Sequence, residues 1–110
     1  MSLLITNGEI ITASERYVAD ILCENETITR IDRGITTPKG AEVIDAKGKY
    51  VFPGFIDPHV HIYLPFMGTY AKDTYATASR AALVGGTTTL IEMCCPVRGD
   101  DPLEAFELWL

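Results

Sequence analysis

Apolar and polar residues along the chain follow two different rhythms. Over the first third the apolar runs are short and broken by turn residues. Leu3-Leu4-Ile5-Thr6 and Glu9-Ile10-Ile11-Thr12 flank Asn7-Gly8, and that dipeptide between β-prone runs predicts a hairpin closed by a type I′ turn, which needs positive φ at both central residues. Tyr17–Cys23 alternates apolar with polar residues in part and Thr27–Ile31 does so well, so both read as half-buried strands, and a turn at Asn25 would join them. These segments predict a small antiparallel sheet. A further short strand, Glu42-Val43-Ile44-Asp45, lies between the loop sequences Thr37-Pro38-Lys39-Gly40 and Lys47-Gly48-Lys49.

Near residue 50 the rhythm changes, which predicts a boundary between a unit over 1–50 and another over 51–110. The run Tyr50–Ile62 begins almost without polar residues, as a strand covered on both faces in a parallel sheet does. Lys72–Val84 is Ala-rich, places Tyr75, Ala78 and Ala82 at helical spacing, and stops at Gly85-Gly86. Thr87–Met93 reads as a second buried strand, and Asp101-Pro102 opens a further helix with Pro in its first turn. Asp100-Asp101 suits the cap of that helix. Strand, helix, strand, helix is α/β order, so the chain reads as a small β element feeding into the first βα units of a barrel or a doubly wound sheet. Closing a (β/α)8 barrel takes about 250 residues. The chain is therefore expected to hold an incomplete barrel, and alone to be aggregation-prone or unfolded.

Composition narrows the partners. The net charge is −6 and no Lys/Arg cluster occurs, so a nucleic-acid partner is not expected. No apolar run approaches the length of a membrane span, and the N-terminus lacks the pattern of a secretory leader. A cytoplasmic protein without a membrane partner is the expectation. Cys23, Cys94 and Cys95 form no C-x-x-C or disulfide-framework pattern and read as reduced, packed thiols.

His59 and His61 are the two histidines of the chain. On an extended strand, residues two apart project to one side with α-carbons about 6.5–7 Å apart, so both imidazoles can converge on one zinc-like ion. They end the most apolar strand, where parallel α/β folds place active sites. Asp57-Pro58 precedes them and constrains the backbone. From spacing and position alone, two histidines packed at a strand end with satisfied hydrogen bonds remain an equal alternative.

The segment Pro53-Gly54-Phe55-Ile56-Asp57-Pro58-His59-Val60-His61 resembles the P-G-x-I-D-x-H-x-H signature of the amidohydrolase superfamily. Leu64-Pro65-Phe66-Met67-Gly68-Thr69 and Gly85-Gly86-Thr87-Thr88-Thr89 extend the likeness to the dihydropyrimidinases and hydantoinases. Leu4–Gly8, Ile44-Asp45-Ala46 and Gly48-Lys49 resemble that family's N-terminal β domain. The resemblance implies a metal-dependent (β/α)8 TIM barrel preceded by part of a small β-sandwich domain. It implies two zinc ions per subunit, with His59 and His61 matching ligands of the more buried ion, and a homotetramer. A carboxylated lysine, two further histidines and an aspartate base would come from later strands beyond Leu110, so no catalytic residue is expected within this chain. The implied reaction opens the cyclic amide of a dihydropyrimidine or hydantoin, through hydroxide held by the zinc pair, to an N-carbamoyl amino acid.

In the loop after the histidines, Leu64 and Phe66 are candidates for the apolar wall of the substrate pocket; loop packing is the alternative. Dihydroorotases resemble the same strand but carry an arginine two residues after the second histidine, where this chain has Tyr63, so an uncharged substrate is expected. Collapsin response mediator proteins resemble the fold but lack the full histidine pair. A catalytically silent scaffold of this kind is the competing reading. Glu92, in an apolar strand, requires a partner that the sequence does not name.

Overall fold

The computed structural model of the chain describes residues 1–66, 69–107 and 110, leaving out the side chains of Pro65 and Phe66. The chain divides into two compact units, Met1–Pro53 and Gly54–Leu110.

The first unit is a five-stranded sheet. Strands β1 (Ser2–Ile11), β2 (Arg16–Glu24) and β3 (Thr27–Asp32) form an antiparallel meander, while β4 (Glu42–Asp45) and β5 (Tyr50–Val51) pair with the free edge of β1 in parallel. The expected antiparallel sheet over residues 3–32 is present, and the parallel strands make the whole sheet mixed. Asn25 and Glu26, with φ of 48° and 67°, form the tight β2–β3 turn, since positive φ at both central residues matches the twist of the flanking strands.

The hairpin expected at Asn7-Gly8 does not form. β1 runs straight through it, and the register with β2 slips between Ile5 and Gly8, so that Thr6 and Asn7 stand opposite the single residue Asp20. Asn7 takes a φ of 59°, but Gly8 has no positive φ, and one left-handed residue gives a β-bulge rather than a reversal. Gly8 meets a different need, because a Cβ there would lie 2.6 Å from Val51 Cγ2. The bulge also sorts side chains. Ile5 and Ile10 are an odd number of residues apart, yet both pack with Tyr17, Ala19 and Ile21, while Leu4 and Leu22 pack with Ile35 in a separate cluster. In an unbulged strand Ile10 would point to the other face.

Asp20 pins this bulge. Its buried carboxylate accepts the Asn7 amide at 2.9 Å and the Ile35 amide at 3.0 Å. Asp20→Ala in the full-length protein orphans both donors and is expected to cost about 2–4 kcal/mol. The check is a thermal melt, in which Asp20→Asn, keeping one acceptor, should lose less than the alanine variant.

The second unit begins where the apolar run Tyr50–Ile62 breaks. The run was expected to be one strand, but Tyr50-Val51 belongs to the first sheet and a new strand, β6 (Phe55–Val60), starts only after Pro53-Gly54. Pro cannot donate to a ladder, and Gly54 sits where a Cβ would overlap the side chain of Thr88, 2.1 Å from its Oγ1. After β6 come the two-residue strands β7 (Pro65–Phe66) and β8 (Thr69–Tyr70), helix α1 (Tyr75–Val84), strand β9 (Thr87–Glu92) and helix α2 (Pro102–Glu107). Thr74 and Thr77 form a reciprocal capping box at the start of α1, which ends on Gly85. β9 lies parallel to β6, so β6–α1–β9 is a βαβ unit. Asp101 Oδ1 accepts the Leu103 amide at 2.7 Å and caps α2 as expected, whereas Asp100 turns back to the Val97 amide.

The burial expected on both faces of β6 is not found: Phe55–His59 are exposed and Val60 is half-buried. Among the described residues β6 has one sheet neighbour, β9, against which α1 packs. Two strands and one helix offer too little surface to cover both faces.

Candidate metal centre

The two histidines lie at the end of β6, on the same side of the strand. Their Nε2 atoms are 3.1 Å apart, with ring centroids separated by 5.0 Å and planes inclined at 73°. The local backbone is set from within the strand, since Asp57 Oδ1 accepts the His59 amide at 3.1 Å. The next residue pair turns the chain sharply, with Tyr63 at a φ of 53°.

The donor set fits a shared ion. Two imidazole nitrogens each about 2.0–2.1 Å from one metal and 3.1 Å from each other subtend about 95–100° at it, between octahedral and tetrahedral angles. The same separation serves a hydrogen bond between the rings when one Nε2 is protonated, so the distance suits both original alternatives. Among the described residues no third His, Cys, Asp or Glu joins the pair in a metal-binding group.

Strand β9 and the segment just after it bring two further groups to the pair. Glu92 accepts the Ile62 amide with both carboxylate oxygens, at 3.1 and 3.0 Å, so its missing partner is the main chain immediately after His61. Cys95 was expected to be packed in the core. It is instead exposed, with its Sγ 3.7 Å from His61 Nδ1 and 3.5 Å from the Met93 carbonyl. Its companion Cys94 is half-buried. The two pocket candidates differ in outcome: Leu64 is buried, and the side chain of Phe66 lies outside the described residues.

A family model described as the amidohydrolase family matches residues 42–106. The chain belongs to the amidohydrolase family. That membership implies a metal cofactor, and the histidine pair of this amidohydrolase chain offers donors of the right kind for it. Among individual relatives it is 48% identical over 109 residues to the D-hydantoinase of Geobacillus stearothermophilus, covering 99% of this chain and 23% of the relative. It is 40% identical over 108 residues to the dihydropyrimidinase of Dictyostelium discoideum, covering 98% and 22%. A solved D-hydantoinase (dihydropyrimidinase) from Thermus sp. superposes with a TM-score of 0.89 at 72% identity, over 97% of this chain and 23% of that one. The amidohydrolase chain thus spans under a quarter of the length of these relatives. Among the described residues no helix is long and apolar enough to cross a membrane.

Proposed function

We propose that this chain is the front part of a hydrolase that opens the cyclic amide of dihydropyrimidines or hydantoins to N-carbamoyl amino acids. The observation carrying the proposal is the converging His59–His61 pair at the end of a parallel strand, in a chain whose relatives bear the names D-hydantoinase and dihydropyrimidinase. The unit over 1–50 is then part of a small β-sandwich domain, and that over 51–110 the first βα units of a (β/α)8 barrel, whose catalytic end is the C-terminal end of the strands. Two zinc ions per subunit, a cytoplasmic location and a homotetramer complete the proposal.

His59 and His61 would hold one ion through their Nε2 atoms. A divalent ion supplies Lewis-acid chemistry there, polarising an amide carbonyl and making water nucleophilic near neutral pH. The work of this chain is to present two neutral imidazoles at fixed spacing. Asp57 holds the His59 backbone for that purpose. Leu64, and Phe66 through the same loop, would wall the ring substituent, and Tyr63 offers no cation to an anionic ring, which favours an uncharged substrate. A catalytically silent scaffold is the less favoured reading, because the histidine pair is intact and the relatives are named as enzymes.

The test is ring opening of dihydrouracil and of a 5-substituted hydantoin by the full-length protein, followed as N-carbamoyl product, before and after metal removal with a chelator. Activity should disappear with the metal and return on adding zinc, and elemental analysis should find about two ions per subunit, as in two-metal hydrolases. Ring opening that survives complete metal removal, or its absence from metal-loaded protein, would overturn the proposal.

A further inference from the structure

The end of β9 meets His61 from two directions. From the main-chain side, both oxygens of Glu92 receive the Ile62 amide, and the Met93 amide continues the ladder to the Val60 carbonyl at 3.1 Å. The residues before and after His61 are therefore both tied to β9. From the side-chain side, Cys95 Sγ lies 3.7 Å from His61 Nδ1, and the same sulfur is 3.5 Å from the Met93 carbonyl.

The chemistry of these contacts favours one tautomer of the ring. A carbonyl only accepts, so the thiol hydrogen goes to Met93 and the sulfur is left with lone pairs toward His61. The favourable arrangement has Nδ1–H donating to sulfur, which leaves the Nε2 lone pair free. That is the atom facing His59. A ligating histidine generally needs a partner on its other nitrogen to fix tautomer and ring orientation, usually a carboxylate, carbonyl or water. Here a thiol occupies that place.

We propose that Glu92 and Cys95 are positioning residues for the metal ligand His61, Cys95 by holding the Nδ1–H tautomer and Glu92 by clamping the backbone after the ligand. This rests on the reading of His61 as a ligand. Neither residue touches substrate or metal in this scheme. Both act through the orientation of one imidazole.

The test measures metal retention and ligand-field spectra in the full-length protein, independently of turnover. Cys95→Ala and Glu92→Ala should each speed zinc loss to a chromophoric chelator by about tenfold to a hundredfold, the usual consequence of losing an outer partner. Cys95→Ser and Glu92→Gln, which keep an acceptor at each position, should recover part of that loss. The visible absorption of the cobalt-loaded Cys95→Ala protein should shift, while the melting temperature of its metal-free form stays that of the parent, because the sulfur is exposed.

Retention and spectrum unchanged in Cys95→Ala would overturn the role of the thiol. Unchanged retention in a folded Glu92→Ala protein would overturn that of the carboxylate. Should Glu92→Ala fail to fold, Glu92→Gln decides: zinc loss faster than in the parent supports the clamp, because one of its two acceptor oxygens is gone, and parental retention overturns it. Failure of the underlying reading looks different, since metal would then remain bound when His59 and His61 are both replaced.

Discussion

Replacing His59 and His61 together by alanine in the full-length protein is expected to abolish ring opening and to release metal. Lewis-acid stabilisation is worth several kcal/mol and each ~1.4 kcal/mol is tenfold in rate, so the loss should be about 10³-fold or more. The geometry explains why the two act together. Their Nε2 atoms, 3.1 Å apart, would chelate as a pair whose spacing is set by one strand and by the Asp57 contact to the His59 amide. Removing one ring leaves a single imidazole whose partner in the pair is gone, so each single variant should already lose most of the metal. Elemental analysis beside the hydrolysis assay checks this. Full metal content in the double variant would show that the rings are structural, joined by a hydrogen bond rather than by an ion.

The second large effect concerns the isolated 110-residue chain, which should not behave as a monomeric, cooperatively melting protein. Its second unit has a two-stranded parallel sheet and a helix α1 with no buried residue. Ile56 is 62% exposed, Leu83 61% and Val84 92%, although side chains of this type favour burial by about 1.5–3 kcal/mol each. Helices of this length are marginal in water without packing, and an uncovered apolar strand edge invites pairing with other copies. Sedimentation and dye binding should therefore report aggregates or a loosely packed state. A sharp, reversible melt of a monomer would overturn the expectation.

Much of this architecture was legible because local rules governed it. The β2–β3 turn at Asn25 and helix α1 with its stop at Gly85 follow from alternation, helical spacing and breakers, and strand β9 follows from its β-branched, apolar run, although it is not buried as expected. The histidine pair was legible from a spacing of two on an apolar strand. Asn7-Gly8 misled for a physical reason: the signal for positive φ was correct at Asn7, but the glycine answers the approach of Val51, which no local pattern encodes. The split of Tyr50–Ile62 depended on which sheet each half joins. Glu92 and Cys95 escaped because their partners, the Ile62 amide and His61 Nδ1, are some thirty residues away in sequence, and long-range hydrogen bonds leave no periodic trace.

The bulge at Asn7 also bears on the order in which the first sheet assembles. It divides the outer edge of β1 into two docking segments, Leu3–Thr6 for β4 and Glu9-Ile10 for β5. Between them the chain steps around the bulge through hydrogen bonds from Ala46 to Thr6 and from the Glu9 amide to Lys49. The meander β1–β2–β3 closes short loops, whereas each parallel pairing must first gather about forty residues, at a greater entropic cost. The meander is thus expected to form first and β4 and β5 to zip onto it later, as two separate clasps rather than one continuous strand, an order that pulse-labelled amide exchange during refolding would check.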